Sequence, residues 1–163
     1  CTKRLNEAVD AGRSRFVVDL HAMERLVLAL RERAAGPVLA VCGKVGGLRQ
    51  YEPVFGPLSG RLCSVLEERK ERSAYYFPGL GEMRFLMDAD ASDKLVSIAS
   101  LVGKYLREVL MARIVRHYGT QVAGLPDASG YHDKITTAFV EATSLVRRRS
   151  KVPGDCFERR AIG

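Results

Sequence analysis

Apolar positions along this chain change period several times, and each change marks an element. Residues 1–15 are polar and basic, without a clear period. Phe16, Val17 and Val18 are a short apolar run. From Asp19, placed to cap a helix, Leu20, Met23, Leu26, Val27 and Leu30 recur every three or four residues. That spacing predicts one apolar helical face, ended by Gly36 and Pro37. Residues 37–42 then form a short β-branched run, the pattern of a strand buried on both faces in a parallel sheet. The run leads into Gly43-Lys44-Val45-Gly46-Gly47, where three glycines permit positive φ and close backbone approach. Leu58, Leu62, Val65 and Leu66 predict a helix after Pro57, with 67–72 as its charged end. Two short strands, 73–77 and 83–87, predict a hairpin about Pro78-Gly79-Leu80-Gly81.

A long helix is predicted next. Leu95, Ile98, Ala99, Val102, Leu106, Val109, Leu110 and Ile114 mark its core face, and Gly119 its end. Gly103 inside it costs about 1 kcal/mol relative to Ala, which predicts close packing at that point. After a loop at 119–132, Asp133 caps a last helix carrying Ile135, Ala138, Phe139, Ala142, Leu145 and Val146. Helix followed by buried strand predicts an α/β fold. One domain over residues 1–163 is expected, with 147–163 as a basic tail.

Composition narrows the class of protein. With 163 residues, 47% hydrophobic and 28% charged, the chain has the make-up of a globular domain rather than a disordered one. Its net charge of +7 favours a polyanionic partner. Seven basic and three acidic residues lie from Lys134 onward. They suit either phosphate contacts or a solvated helix end. There is no Trp, so a base-stacking platform is not expected. The four cysteines, at 1, 42, 63 and 156, have neither metal-ligand nor redox spacing and read as reduced thiols of a cytoplasmic protein. No apolar run approaches the length of a membrane span.

The chemistry-bearing stretch runs from Phe85 to Arg107. An apolar strand leads to an acidic turn with Asp88, Asp90 and Asp93, then to a helix with Ser97, Ser100, Lys104 and Arg107 on one face. Carboxylates at a strand end suit a hard cation such as magnesium, and the hydroxyl and ammonium groups suit a phosphate. The same residues also suit a well-capped surface helix, and the spacing alone does not choose. The glycine run at 43–47 lacks the spacing of a nucleotide-binding loop and fits a tight turn as well as a phosphate cradle.

Asp90-Ala91 followed by Leu95-Val96-Ser97-Ile98-Ala99-Ser100-Leu101-Val102-Gly103-Lys104, and then Arg107-Glu108, resembles the signature of type 2 ribonuclease H. Ser129-Gly130-Tyr131 resembles that family's Gly-Tyr motif. Val41-Cys42-Gly43-Lys44-Val45-Gly46-Gly47, with Tyr51 after it, resembles a divergent bacterial branch. The resemblance covers roughly residues 37–145, in order. It implies a ribonuclease H-like mixed sheet with flanking helices. It also implies an endonuclease that cuts the RNA strand of RNA–DNA hybrids or nicks ribonucleotide-containing DNA. The implied cofactor is Mg2+ or Mn2+, with Asp90 as catalytic ligand and Asp88 as a partial second. Gly46, Gly47, Ser100 and Lys104 would face the substrate, and Tyr131 would sense the ribose. A complete chain would be a monomer with no membrane partner.

Three positions depart from the family pattern. No strand carrying an Asp-Glu pair precedes residue 37. Gly43 stands where the family has an Asp, and Leu48 where the branch has an Arg. Cys1 in place of Met leads to the expectation that an upstream segment carries the N-terminal strand. As written the chain is expected to be an impaired nuclease, with a non-catalytic nucleic-acid- or protein-binding descendant of the fold as the alternative. Without the N-terminal strand, the strand at 37–42 would lie at a sheet edge, leaving the chain marginally stable or prone to aggregate.

Overall fold

The computed structural model describes residues 2–131 and 133–159. They form two compact units: Ala8–Ser100, and a second joining the chain up to Glu7 to the residues from Leu101 onward. The polar start forms a helix, α1 (Thr2–Asp10), although its residues show no clear period.

In the first unit, α2 spans Arg15–Arg33. Its cap is Ser14, in extended backbone, whose carbonyl accepts from the Val17 and Val18 amides at 3.1 and 3.3 Å. Phe16–Val18 are therefore the first helical turn, and Asp19 lies inside the helix rather than capping it. An extended residue whose carbonyl accepts the first amides is enough to start the helix, so the apolar run at 16–18 joins it ahead of Asp19. A four-stranded mixed sheet follows: β1 (Val38–Gly43), β2 (Ser64–Glu68), β3 (Arg72–Phe77) and β4 (Gly81–Leu86). The strand order is β1-β4-β3-β2. β1 runs parallel to β4, and the other two pairs are antiparallel. This is an α/β architecture with helices beside a mixed sheet.

The predicted helix after Pro57 does not form; β2 takes its place. Leu62, Val65 and Leu66 are exposed, so no apolar helical face exists to bury. A turn instead closes a hairpin, with the Arg69 amide 2.7 Å from the Arg72 carbonyl, and pairs Val65 with Tyr75. Cross-strand pairing here overrides a four-residue coincidence of helical period.

One face of the sheet is the core. Tyr75, Phe77, Met83 and Phe85 are buried on it, packed with Val38, Ala40 and Cys42 of β1 and Leu20 and Val27 of α2. Tyr51 stacks on Phe85, with centroids 3.8 Å apart, and meets Tyr75 edge-on. Phe55 meets both Tyr75 and Phe77 edge-on. Each such pair contributes about 0.5–1.5 kcal/mol beyond its buried area. β1 is not buried on both faces. It is an edge strand, and Leu39 is 55% exposed. Cys42 and Cys63 are only partly buried, although burial lifts the Cys42 thiol to about 11.

Glu24 of α2 is fully buried. Its carboxylate accepts from the Gly56 amide at 3.1 Å and the Leu58 amide at 2.8 Å, which ties the loop before β2 to the helix. Burial raises its pKa, against the pull of those two amides.

α3 (Ala89–Ser92) and α4 (Lys94–Gly119) follow the sheet. Only Tyr118 of α4 is buried among the described residues. The predicted core face is exposed at Leu95, Ile98, Val102, Leu106, Val109, Leu110 and Ile114. The space beside Gly103 is open, so the close packing predicted there is absent. In the second unit the core gathers at the end of α4. There Tyr118 and Phe139 pack with Phe157, delivered by α5 (Lys134–Ala142), α6 (Ser144–Arg149) and α7 (Gly154–Phe157). Asp133 caps α5 as predicted, its Oδ1 accepting from the Thr136 amide at 2.7 Å. The single last helix becomes two, because the chain turns at Thr143, whose hydroxyl bonds back to the Phe139 carbonyl. Arg147 is buried rather than solvated. It pairs with Glu158 at 3.0 Å, donates to the Val140 carbonyl and lies 4.2 Å from the centre of the Phe157 ring. Residues 160–163 of the basic tail, Cys1 and His132 lie outside the described residues. No helix of the described residues is long and apolar enough to cross a membrane.

Two outcomes follow from this packing. A folded-state pKa raised above the unfolded one gives stability that is complete at low pH and is lost as pH rises through the folded value. The unfolding free energy of the parent minus that of Glu24→Gln, from urea titrations, should therefore fall as pH rises from the acidic range towards neutrality. Leu39→Lys should lower light scattering at the exposed β1 edge, with a change in unfolding free energy within about 0.5 kcal/mol.

Candidate functional site

The parallel pair ends level. Gly43 pairs with Leu86, and the Lys44 amide extends the ladder by donating to the Leu86 carbonyl at 2.9 Å. In open sheets, the carboxyl ends of adjacent parallel strands are a usual place for a ligand. Just beyond Leu86 the backbone enters the left-handed region at Asp88 (φ 49°), a strained conformation for a residue other than Gly. This turn starts α3: the Asp88 carbonyl accepts from Ala91 and Ser92, while its carboxylate makes no capping bond. Asp93 has the helix-cap role that the spacing left open. Its Oδ1 accepts from the Leu95 and Val96 amides at 2.9 and 3.0 Å.

With Asp93 engaged, Asp88 and Asp90 face an open recess of about 320 Å³ lined also by Gly43, Lys44, Val96 and Ser100. Asp88, Asp90 and Ser100 are all exposed. The structure thus brings together three of the residues singled out in the sequence, and places Gly43 beside them. Among the described residues no group of three or more His, Cys, Asp or Glu side chains could hold a metal ion. Two carboxylates fall short of what a pair of magnesium ions requires, so these residues do not fit a two-metal centre.

Gly46 and Gly47 are not among the residues lining the recess. Both have positive φ, 64° and 66°. A Cβ at Gly46 would lie 3.0 Å from the Phe16 ring, so packing against α2 as well as backbone conformation demands glycine there. Tyr51 anchors this turn from the core: its hydroxyl accepts from the Val45 amide at 3.1 Å. Lys44 anchors it from the other side. Its ammonium donates to the Leu48 and Arg69 carbonyls and to Ser73 Oγ, each at 2.9 Å. Burial lowers the Lys44 pKa. With three protein acceptors, this ammonium is a clamp between the glycine turn and the β2–β3 hairpin. No spacing signal pointed to that role.

Lys104 and Tyr131 lie together in the second unit, lining a different cleft of about 470 Å³ with Arg107, Glu108, Asp127 and Ser129. The turn at 129–131 is built around Gly130 (φ 76°), where a Cβ would lie 2.7 Å from Met111 Sδ of α4. The Ser129 hydroxyl accepts from the Tyr131 amide at 3.3 Å and donates to Asp133 Oδ2 at 3.1 Å. These contacts set Tyr131 against α4, with the Arg107 guanidinium 3.8 Å from its ring centre. The polar face of the helix put Arg107 on the same side as Lys104. The stack with Tyr131, 24 positions further along the chain, left no trace in the spacing.

Comparison with protein-family models, with curated proteins and with solved structures returns no match.

Removing the clamp should loosen the glycine turn. Lys44→Met is expected to cost about 1–3 kcal/mol of stability in urea unfolding. Amide exchange should speed up at residues 45–48 more than in β3.

Proposed function

We propose that this chain is a type 2 ribonuclease H-like domain of a cytoplasmic protein that binds RNA–DNA hybrids or ribonucleotide-containing DNA. Hydrolysis of the RNA strand is impaired by its incomplete carboxylate set. The observation that supports this reading is the recess at the level ends of β1 and β4. It gathers Asp88, Asp90 and Ser100, residues taken from one block of the sequence resemblance, beside Gly43, taken from another. Two blocks more than 40 residues apart in sequence meet at the place where the resemblance implies one site. The net charge of +7 favours the polyanion.

Type 2 ribonucleases H work with Mg2+ or Mn2+, and in this chain Asp90 and Asp88 are the candidate ligands. Since they do not suffice for two ions, binding is the part of the activity this recess supports best. Ser100 offers a hydroxyl to a phosphate oxygen, and Asp90 keeps its carboxylate at the recess rather than in a helix cap. A second reading, a binding domain without any hydrolysis, is favoured by Gly43, which supplies no side chain at the end of β1.

Gly43 also supplies the test. Its φ is not positive, and a Cβ there meets nothing within 4 Å, so an Asp fits without strain. Gly43→Asp should raise Mn2+-dependent cleavage of an RNA–DNA hybrid at least about tenfold, the rate change that roughly 1.4 kcal/mol of added transition-state stabilisation produces. Asp90→Asn in that background should abolish the gain. Salt-sensitive hybrid binding with no cleavage in either protein would select the binding-only reading. Absence of both binding and cleavage would overturn the assignment.

A further inference from the structure

Arg107 has few other ways to hold its position. Among the described residues its Nε is buried without a hydrogen-bond partner, and its nearest carboxylate, Glu108 Oε1, is 3.9 Å from a terminal nitrogen. The face of Tyr131, at 3.8 Å, is its closest described partner. A guanidinium over an aromatic face is attracted to the ring's quadrupole, and its planar shape stacks where an ammonium would not. Tyr131, for its part, is 52% exposed. Its backbone is fixed by Gly130 packing on Met111 and by the Ser129 hydroxyl. Those contacts fix the Cα and leave the ring free to turn about its side-chain torsions. Arg107 covers one face of that ring, and both residues line the cleft that Lys104 also lines.

We propose that Arg107 is a positioning residue that orients the Tyr131 ring, and so sets how this domain distinguishes a ribose from a deoxyribose. The proposal rests on the ribonuclease H-like reading above, in which Tyr131 meets the sugar. The 2′-hydroxyl is both donor and acceptor, and it distinguishes RNA from DNA only if the protein group facing it is held at hydrogen-bond distance. A ring free to rotate loses that contact while the surrounding charge still attracts either nucleic acid. Arg107 therefore acts on discrimination rather than on overall attraction.

The test compares the parent, Arg107→Met, Arg107→Lys, Tyr131→Leu and the Arg107→Met/Tyr131→Leu double variant, all as the full chain. Binding of an RNA–DNA hybrid and of an all-DNA duplex of the same sequence is measured across salt concentrations, without divalent metal. Arg107→Met should lower the hybrid-to-DNA affinity ratio at least about fivefold and leave the salt slope unchanged. Arg107→Lys should restore little of it, and the double variant should match the worse single one. In parallel, NMR of ring-labelled tyrosine should show the Tyr131 signals moving towards random-coil positions in Arg107→Met while the other tyrosines stay in place. An unchanged affinity ratio in Arg107→Met would overturn the proposal. So would a salt slope reduced by about 1, which marks a direct phosphate contact. A parent that binds hybrid and duplex equally would overturn both the ribonuclease H-like reading and this role. An unchanged ratio in Arg107→Met beside a discriminating parent sinks the role alone.

Discussion

The level ends of β1 and β4 are the constraint on which the first unit depends. Parallel pairing puts Gly43 opposite Leu86. One further ladder bond, from Lys44 to the Leu86 carbonyl, makes both strands release the chain on the same side of the sheet. What each strand releases is then held separately. The β4 exit folds at once into the left-handed turn at Asp88 and the short α3. The β1 exit is held by the Lys44 ammonium on three acceptors and by the Tyr51 hydroxyl on Val45. Tyr51 is held in turn by Phe85, the last core-facing residue of β4. The aromatic core and the recess are therefore one mechanical unit.

The acidic turn divides its labour by geometry. Asp93 is used as the cap of α4, with two amides on one oxygen. Asp88 starts α3 through its backbone, and Asp90 sits in the first turn of that helix. The two side chains not used for capping border the recess. Helix capping and ligand binding are thus not alternatives for this stretch; they fall to different residues of it. The missing element is on the other strand, where Gly43 ends β1 without a side chain.

Charge in the fold is arranged around satisfaction rather than display. Glu24 and Arg147 are buried, and each has partners that justify it: two amides for the first, a carboxylate, a carbonyl and a ring for the second. On the sheet, Arg84 pairs with Glu82 and holds that carboxyl below its ordinary range. A run such as Arg147-Arg148-Arg149 reads in sequence as one basic patch. In space its first member is core, and only the other two are exposed.

By itself the sequence determined the elements whose signals are local. The β3–β4 hairpin follows from its turn residues, α4 from its length and period, and the cap at Asp133 from one side chain reaching an amide three residues on. It also placed Asp88, Asp90 and Ser100 close together, because a strand, a turn and a helix start leave little freedom between them. Tertiary structure decided the rest. It made a strand of 64–68, because a partner strand was available and an apolar helical face was not. It left Leu39 of β1 exposed, exposed most of α4, and turned Lys44 from a loop cation into a clamp. It also joined Arg107 to Tyr131. Each of these depends on which segments meet across long separations, and a period along the chain carries no information about that.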